Sequence, residues 1–215
     1  MAERIELEFR ESHKSPLSIW KYPEPGKRYI IGADVAMGFM KGDFSCGEVL
    51  SQDFEQVAEW HGHIEPEVFA EELRKLGIYY NEAIIGVEAN NHGLTVLTEL
   101  KRLLYSRIYY RYEIDKKDNK RTRQMGWLTN SKSKPLMIDN FAKVLREGDV
   151  IINGADLLLE CQTYIDDGEM HASEGNFDDR VIAFSIALMI YKQMPIINTS
   201  GLIPAYRPSS VWTGY

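Results

Sequence analysis

The sequence lacks the features that mark several large protein classes. It has two cysteines in 215 residues. Cys46 and Cys161 lie far apart, make no metal-type pair, and are expected as buried thiols of a reducing compartment. No run approaches the roughly 18 apolar residues of a membrane span. Met1 to Glu11 is charged throughout, so no secretory leader is expected. No repeat or low-complexity tract occurs. The GxxxxGK[ST] pattern is missing, which excludes a phosphate-binding P-loop. Gly32 to Gly38 reads GADVAMG, which is glycine-containing but lacks GxGxxG and feeds a hairpin rather than a helix. That sets aside a dinucleotide-binding fold. His61 and His63 alternate on a strand without a cysteine nearby, so a zinc site is not expected.

What the chain does have is enough apolar content, 44%, for one substantial α/β domain. Residues 1–26 read as a linker or interdomain segment, 27–195 as the domain and 196–215 as a tail. Apolar strands are predicted at 28–34, 44–50 and 55–62, joined by short returns as an antiparallel meander. Pro66 opens a helix along Phe69, Leu73 and Leu76, with Gly77 as its stop. Ala83 to Glu88 is a buried strand, followed by a turn over Asn90–Gly93 and a helix along Leu94, Leu97, Leu100 and Leu104. Pro135 begins a helix that ends at Gly148. Asp156 is placed to cap a short helix, and Gly168 to Gly175 reads as a polar turn. A last helix runs from Asp178 to about Tyr191. This order predicts a mixed central sheet with helices on both faces.

Charge is distributed unevenly. The net charge is -7, yet residues 107–134 carry nine basic side chains against Glu113, Asp115 and Asp118. The stretch is expected as an exposed loop or ribbon gripping a phosphate backbone through Lys116, Lys117, Lys120, Arg121, Arg123, Lys132 and Lys134. Its other reading is a solvated charged loop. Acids, in turn, end the most apolar strands. Asp34 ends the first and Glu88 the fourth, and Asp178 and Asp179 open the last helix. If those two strands run parallel and adjacent, Asp34 and Glu88 come out at one sheet edge, where a helix packed beneath could present Asp178 or Asp179 alongside them. Carboxylates so gathered persist as anions when a cation neutralises them, and all-oxygen donors suit magnesium or manganese. Two such ions roughly 4 Å apart hydrolyse a phosphodiester. Asp34 is placed to bridge them, with Glu88 on one side and the Asp178/Asp179 pair on the other. Asp43 in the hairpin is a turn residue or an outer ligand. Asp178 also suits a helix N-cap, and Asp179 the positive end of the dipole. Asn90 and Asn91 could orient Glu88 and His92 could meet a phosphate or water, but the first reading of the run is that it shapes the strand-to-helix turn. Glu169, His171 and Glu174 read as surface loop.

These stretches resemble the C-terminal nuclease domain of the large terminase subunit, the DNA-packaging motor of tailed bacteriophages and related viruses. The matching stretches are IIGADVAMG around Asp34, GDFS at Asp43, AIIGVEANNHG around Glu88, SKPLMIDNFAKVLREGDVII at 133–152 and NFDDRVIAFSIAL around Asp178 and Asp179. The resemblance implies an RNase H-like, RuvC-like fold and a metal-dependent endonuclease using two Mg²⁺ or Mn²⁺ ions. It would cut concatemeric double-stranded viral DNA in the host cell cytoplasm during assembly. Asp34 looks like the family's first-strand aspartate, Glu88 its second-strand acid, and the Asp178/Asp179 pair its third acidic element. Some relatives place a histidine just before that pair, where this chain has Asn176 and Phe177. In the full subunit an N-terminal ATPase domain, the portal and the small terminase subunit are the implied partners, and no membrane. Two rival readings are a RuvC-like junction-resolving nuclease and a non-enzymatic DNA-binding or docking domain.

Overall fold

The computed structural model describes residues 15–37, 44–114, 121–166, 170–172 and 177–193. Its centre is a five-stranded sheet. Tyr29–Asp34 (β2), Ser45–Ser51 (β3) and Gln56–Gly62 (β4) form the expected antiparallel meander, and Leu17–Ile19 (β1) adds an antiparallel edge on β4. The sheet therefore begins inside the segment read as a linker. After Pro66–Tyr79 (α1) crosses one face, Ile84–Val87 (β5) returns beside β2, parallel to it, giving the order β1-β4-β3-β2-β5.

Period-two alternation in β2 sorts its side chains between two cores. Ile31 and Ala33 pack with Val49, Trp60, Phe69 and Leu73 under α1 and Asn91–Arg102 (α2). Ile30 faces the other layer, with Leu50, Phe184 and Ile186. That layer is Asp179–Gln193 (α5), supported from outside by Ser133–Glu147 (α3) and Ala155–Thr163 (α4) through Met137, Phe141 and Leu157. The α5 sequence is apolar around most of its circumference, and residues 181–188 are all buried, as a helix sandwiched between a sheet and other helices must be.

Two glycines set how closely α5 lies on the sheet. Gly32 and Gly86 are cross-strand neighbours. A Cβ at Gly32 would overlap the carbonyl oxygen of Ala183 and stand 2.6 Å from the Ala187 amide nitrogen, whereas one at Gly86 would overlap the tip of Ile190. The glycine pair forms a trough that takes the α5 backbone at Gly32 and the Ile190 side chain at Gly86.

Several local expectations differ. The first helix does not stop at Gly77 but runs to Tyr79. Gly77 is small because the Tyr105 hydroxyl packs against it, not because the helix ends. The Asn90–Gly93 turn is the start of α2, with Asn90 as N-cap. Leu97 and Leu100 are buried, but Leu94 is half exposed and Leu104 lies beyond the helix in solvent. Asp156 sits in the first turn of α4, whose N-cap position is Gly154. Short strands Tyr164–Asp166 (β8) and Met170–Ala172 (β9) pair antiparallel, and β9 falls where a turn region was expected. The basic belt is a ribbon of Tyr110–Ile114 (β6) and Arg121–Met125 (β7).

Candidate active site

The parallel β2–β5 pair places two acids at one edge. Ala33 stands opposite Val87, so Asp34 and Glu88 leave the sheet side by side, and the Glu88 amide donates to the Ala33 carbonyl at 2.8 Å. The α5 helix crosses β2 at the glycine trough and brings its N-terminus to the same edge. Asp34, Glu88, Asp178 and Asp179 all line one pocket of about 440 Å³, with Met37, Asn90, His92 and Phe177.

Each acid is held differently. The Asp34 Oδ1 accepts from the Val35 amide at 2.9 Å. Burial first, then Glu88, push the Asp34 carboxyl well above its ordinary value; Asp179 and Asp178 act the same way. Glu88 Oε2 accepts from the Asn90 Nδ2 at 2.9 Å, while Asn90 Oδ1 accepts from the Gly93 amide at 2.7 Å. One asparagine thus caps α2 and orients the acid. Asp179 is almost fully buried. Asp178 is partly exposed, with Oδ2 3.5 Å from the Lys134 Nζ.

The donor set is chemically suited to a hard divalent cation, since the four acids supply oxygen alone. Among the described residues no three His, Cys, Asp or Glu side chains are gathered closely enough to chelate an ion as they stand. The acids share a pocket and repel one another, and a cation draws such side chains inward by relieving that repulsion.

Behind the pocket lies a buried polar cluster that the sequence reading did not identify. Arg180 donates through Nε to Glu59 Oε2 at 2.9 Å and through Nη1 to Glu160 Oε1 at 2.7 Å. Glu59 stands opposite Glu48 in the β3–β4 ladder, and Glu48 Oε2 accepts from Gln56 Nε2 at 2.8 Å. Burial, followed by Glu59, pushes the Glu48 carboxyl well above its ordinary value. Burial opposes the Arg180 charge, but Glu59 and Glu160 outweigh it and raise the guanidinium further. The signal available was position: Glu48 and Glu59 fall within strands otherwise destined for the core.

The ribbon is rooted beside the acids. Beyond β7, the Trp127 amide donates to the Val87 carbonyl at 2.8 Å, and Trp127 bridges Glu88. On the ribbon, Arg121 stacks over the Tyr112 ring at 3.8 Å and Arg123 over Tyr110 at 3.7 Å. Both arginines are exposed, as is Lys132 beside α3. Lys134 is drawn to Asp178 instead of standing free. Asp43, Lys116, Lys117 and Lys120 lie outside the described residues, as do Glu169 and Glu174. Phe177, which caps the pocket wall against Phe44 at 5.1 Å between ring centroids, was not anticipated as a lining residue.

No curated protein matches the sequence. Among solved structures, the large terminase nuclease of thermophilic phage G20c with bound magnesium is similar at 20% identity and a TM-score of 0.65, over 85% of this chain and 89% of that one. The large terminase nuclease domain of Thermus phage P74-26 is similar at 19% identity and 0.64, over 84% and 88%. The human cytomegalovirus terminase nuclease domain, manganese-soaked and inhibitor-bound, is similar at 13% identity and 0.52, over 78% and 85%. Likeness at this level of identity is a likeness of fold, here the RNase H-like one. The sequence profile of the terminase RNaseH-like domain matches residues 31–190. Matched by that profile over most of its length, from the strand of Asp34 to the helix of Asp179, the chain belongs to the terminase RNase H-like domain family.

Proposed function

We propose that the chain is a metal-dependent endonuclease that cuts double-stranded viral DNA concatemers during genome packaging. The observation that carries this reading is the convergence of Asp34, Glu88, Asp178 and Asp179, from three separate elements, on one pocket. In a nuclease these side chains would hold two divalent cations, Mg²⁺ or Mn²⁺. Such cations supply water activation and stabilise the leaving 3′ oxygen. Asp34, whose carboxyl is raised by burial and by Glu88, Asp179 and Asp178 together, would be the ligand shared by both ions. Glu88, fixed by Asn90, would hold one side, and the Asp178/Asp179 pair the other.

The chain's remaining groups serve the DNA. Arg121 and Arg123 present guanidinium groups on a ribbon rooted at Glu88, and Lys132 continues the positive surface. Lys116, Lys117 and Lys120 belong to the same belt. Lys134, beside Asp178, meets the phosphate nearest the acids. Basic groups outside an acidic pocket attract the polyanion without filling the cation site. In the packaging machine the ATPase domain, portal and small subunit would be its partners, acting in the host cytoplasm. No helix among the described residues is long and apolar enough to cross a membrane.

The test is cleavage of a supercoiled plasmid in EDTA, Mg²⁺ or Mn²⁺, with Asp34→Asn beside the parent. Nicking and linearisation should require a divalent ion and vanish in the variant. Cleavage in EDTA, or a parental rate in D34N, refutes the reading. Faster cutting of four-way junctions than of duplex favours the resolving-nuclease alternative.

A further inference from the structure

The first turn of α5 is capped from another helix, and this frees an acid for the pocket. The Asp178 carbonyl accepts from the Ile182 amide at 2.9 Å, which places Asp178 at the N-cap. An N-cap aspartate ordinarily turns its carboxylate back to accept from the amides two or three residues on. Here those two amides are occupied. Arg180 N donates to Glu160 Oε2 at 2.9 Å, and Val181 N donates to the same oxygen at 3.3 Å. The other Glu160 oxygen takes Arg180 Nη1. Glu160 is buried on α4, and Arg180 ties the assembly to β4 through Glu59. The Asp178 carboxylate meanwhile lines the pocket beside Lys134.

We propose that Glu160 on α4 takes the N-capping role for α5, a positioning residue that releases Asp178 for the cation. The inference rests on the reading of the pocket as a metal centre. The capping bonds and the cation compete for one carboxylate. Two amides left without an acceptor at a buried helix start are costly. The side chain placed by standard capping geometry to take them is that of Asp178. Withdrawing Glu160 therefore turns Asp178 inward and weakens the site from behind.

Reach and charge separate cleanly at this position. Glu160→Asp keeps the charge that faces Arg180 but draws the acceptor back by one methylene. Glu160→Gln keeps the reach and a carbonyl acceptor but removes the charge. Mn²⁺ binding to the full chain is measured by calorimetry for the parent, E160D, E160Q and D34N, with thermal melts alongside. E160D should bind about fivefold more weakly, the worth of a typical N-cap, while E160Q should remain within about twofold of the parent. Parental affinity in E160D overturns the inference, and so does E160Q as weak as E160D. An E160D chain without a cooperative melt makes Glu160 a folding residue and equally overturns its positioning role. A parent that takes up no Mn²⁺, or D34N that binds like the parent, overturns the metal reading and this inference with it.

Discussion

Replacing Gly32 with alanine should damage the molecule out of proportion to one methyl group. The new Cβ would overlap the Ala183 carbonyl oxygen and lie 2.6 Å from the Ala187 nitrogen. Non-bonded heavy atoms prefer roughly 3.5 Å or more, so the helix must retreat by about 1–1.5 Å. Both obstructing atoms are helix backbone and cannot rotate away. Overpacking costs about 1–3 kcal/mol, and a rigid obstacle belongs at the upper end, about 3 kcal/mol. For a chain of this size that lowers the Tm by about 6–12 °C. The same retreat carries Asp178 and Asp179 away from Asp34, and a misplacement of about 1 Å can cost roughly 100-fold in rate. Gly86→Ala is the control. Its Cβ meets the far end of the Ile190 side chain, which can change rotamer, so the cost should stay near 1 kcal/mol. Urea unfolding and metal-dependent plasmid cleavage on both variants make the comparison. A Gly32→Ala protein as stable and as active as the parent would refute the seating of α5 on β2.

Two further outcomes are expected. Arg121→Ala with Arg123→Ala should weaken DNA binding and reduce the slope of log affinity against log salt by about 1–2, measured by fluorescence anisotropy; an unchanged slope removes the ribbon from the interface. Near the ordinary glutamate value Glu48→Gln should be close to neutral, because burial and Glu59 raise the Glu48 carboxyl, whereas Arg180→Met strands buried acids and should cost about 3–5 kcal/mol. The sign of the Glu48 effect follows from its raised value in the fold. The stability it contributes is complete below the ordinary glutamate value and is lost as pH rises toward the raised one. Urea midpoints of E48Q relative to the parent should therefore rise with pH, and a difference that falls with pH contradicts the raised value of the Glu48 carboxyl.

The site was legible where chemistry and local pattern conflict. An apolar strand that ends in aspartate, as at Asp34, or in glutamate, as at Glu88, shows the conflict within a few residues. The parallel pairing that joins them was only a condition of that reading, and the β2–β5 ladder meets it. The Glu59–Arg180–Glu160 cluster was not legible, because Arg180 meets Glu59 from 121 residues away and no periodicity encodes that distance. An N-cap was one of two readings of Asp178, but the sequence had no means of showing that Glu160 on α4 would accept the Arg180 and Val181 amides. Leu17–Ile19 is only three residues long and becomes a strand through β4, not through its own pattern. Gly77 misled because glycine serves both as a helix stop and as room for a neighbour, and only Tyr105 distinguishes the two.

The β5 strand is the last in the sheet order, and its outer backbone is partly occupied by Ile108 and by Trp127, the root of the ribbon. This arrangement ties the base of the ribbon to the strand end that carries Glu88. On the proposed DNA contact, a pull on Arg121 and Arg123 would be delivered through the Trp127 bridge to the strand that carries a proposed ligand. Lengthening or shortening the ribbon beyond that bridge would move the grip while leaving the acids in register. One junction would thus join grip to chemistry and let each be altered separately.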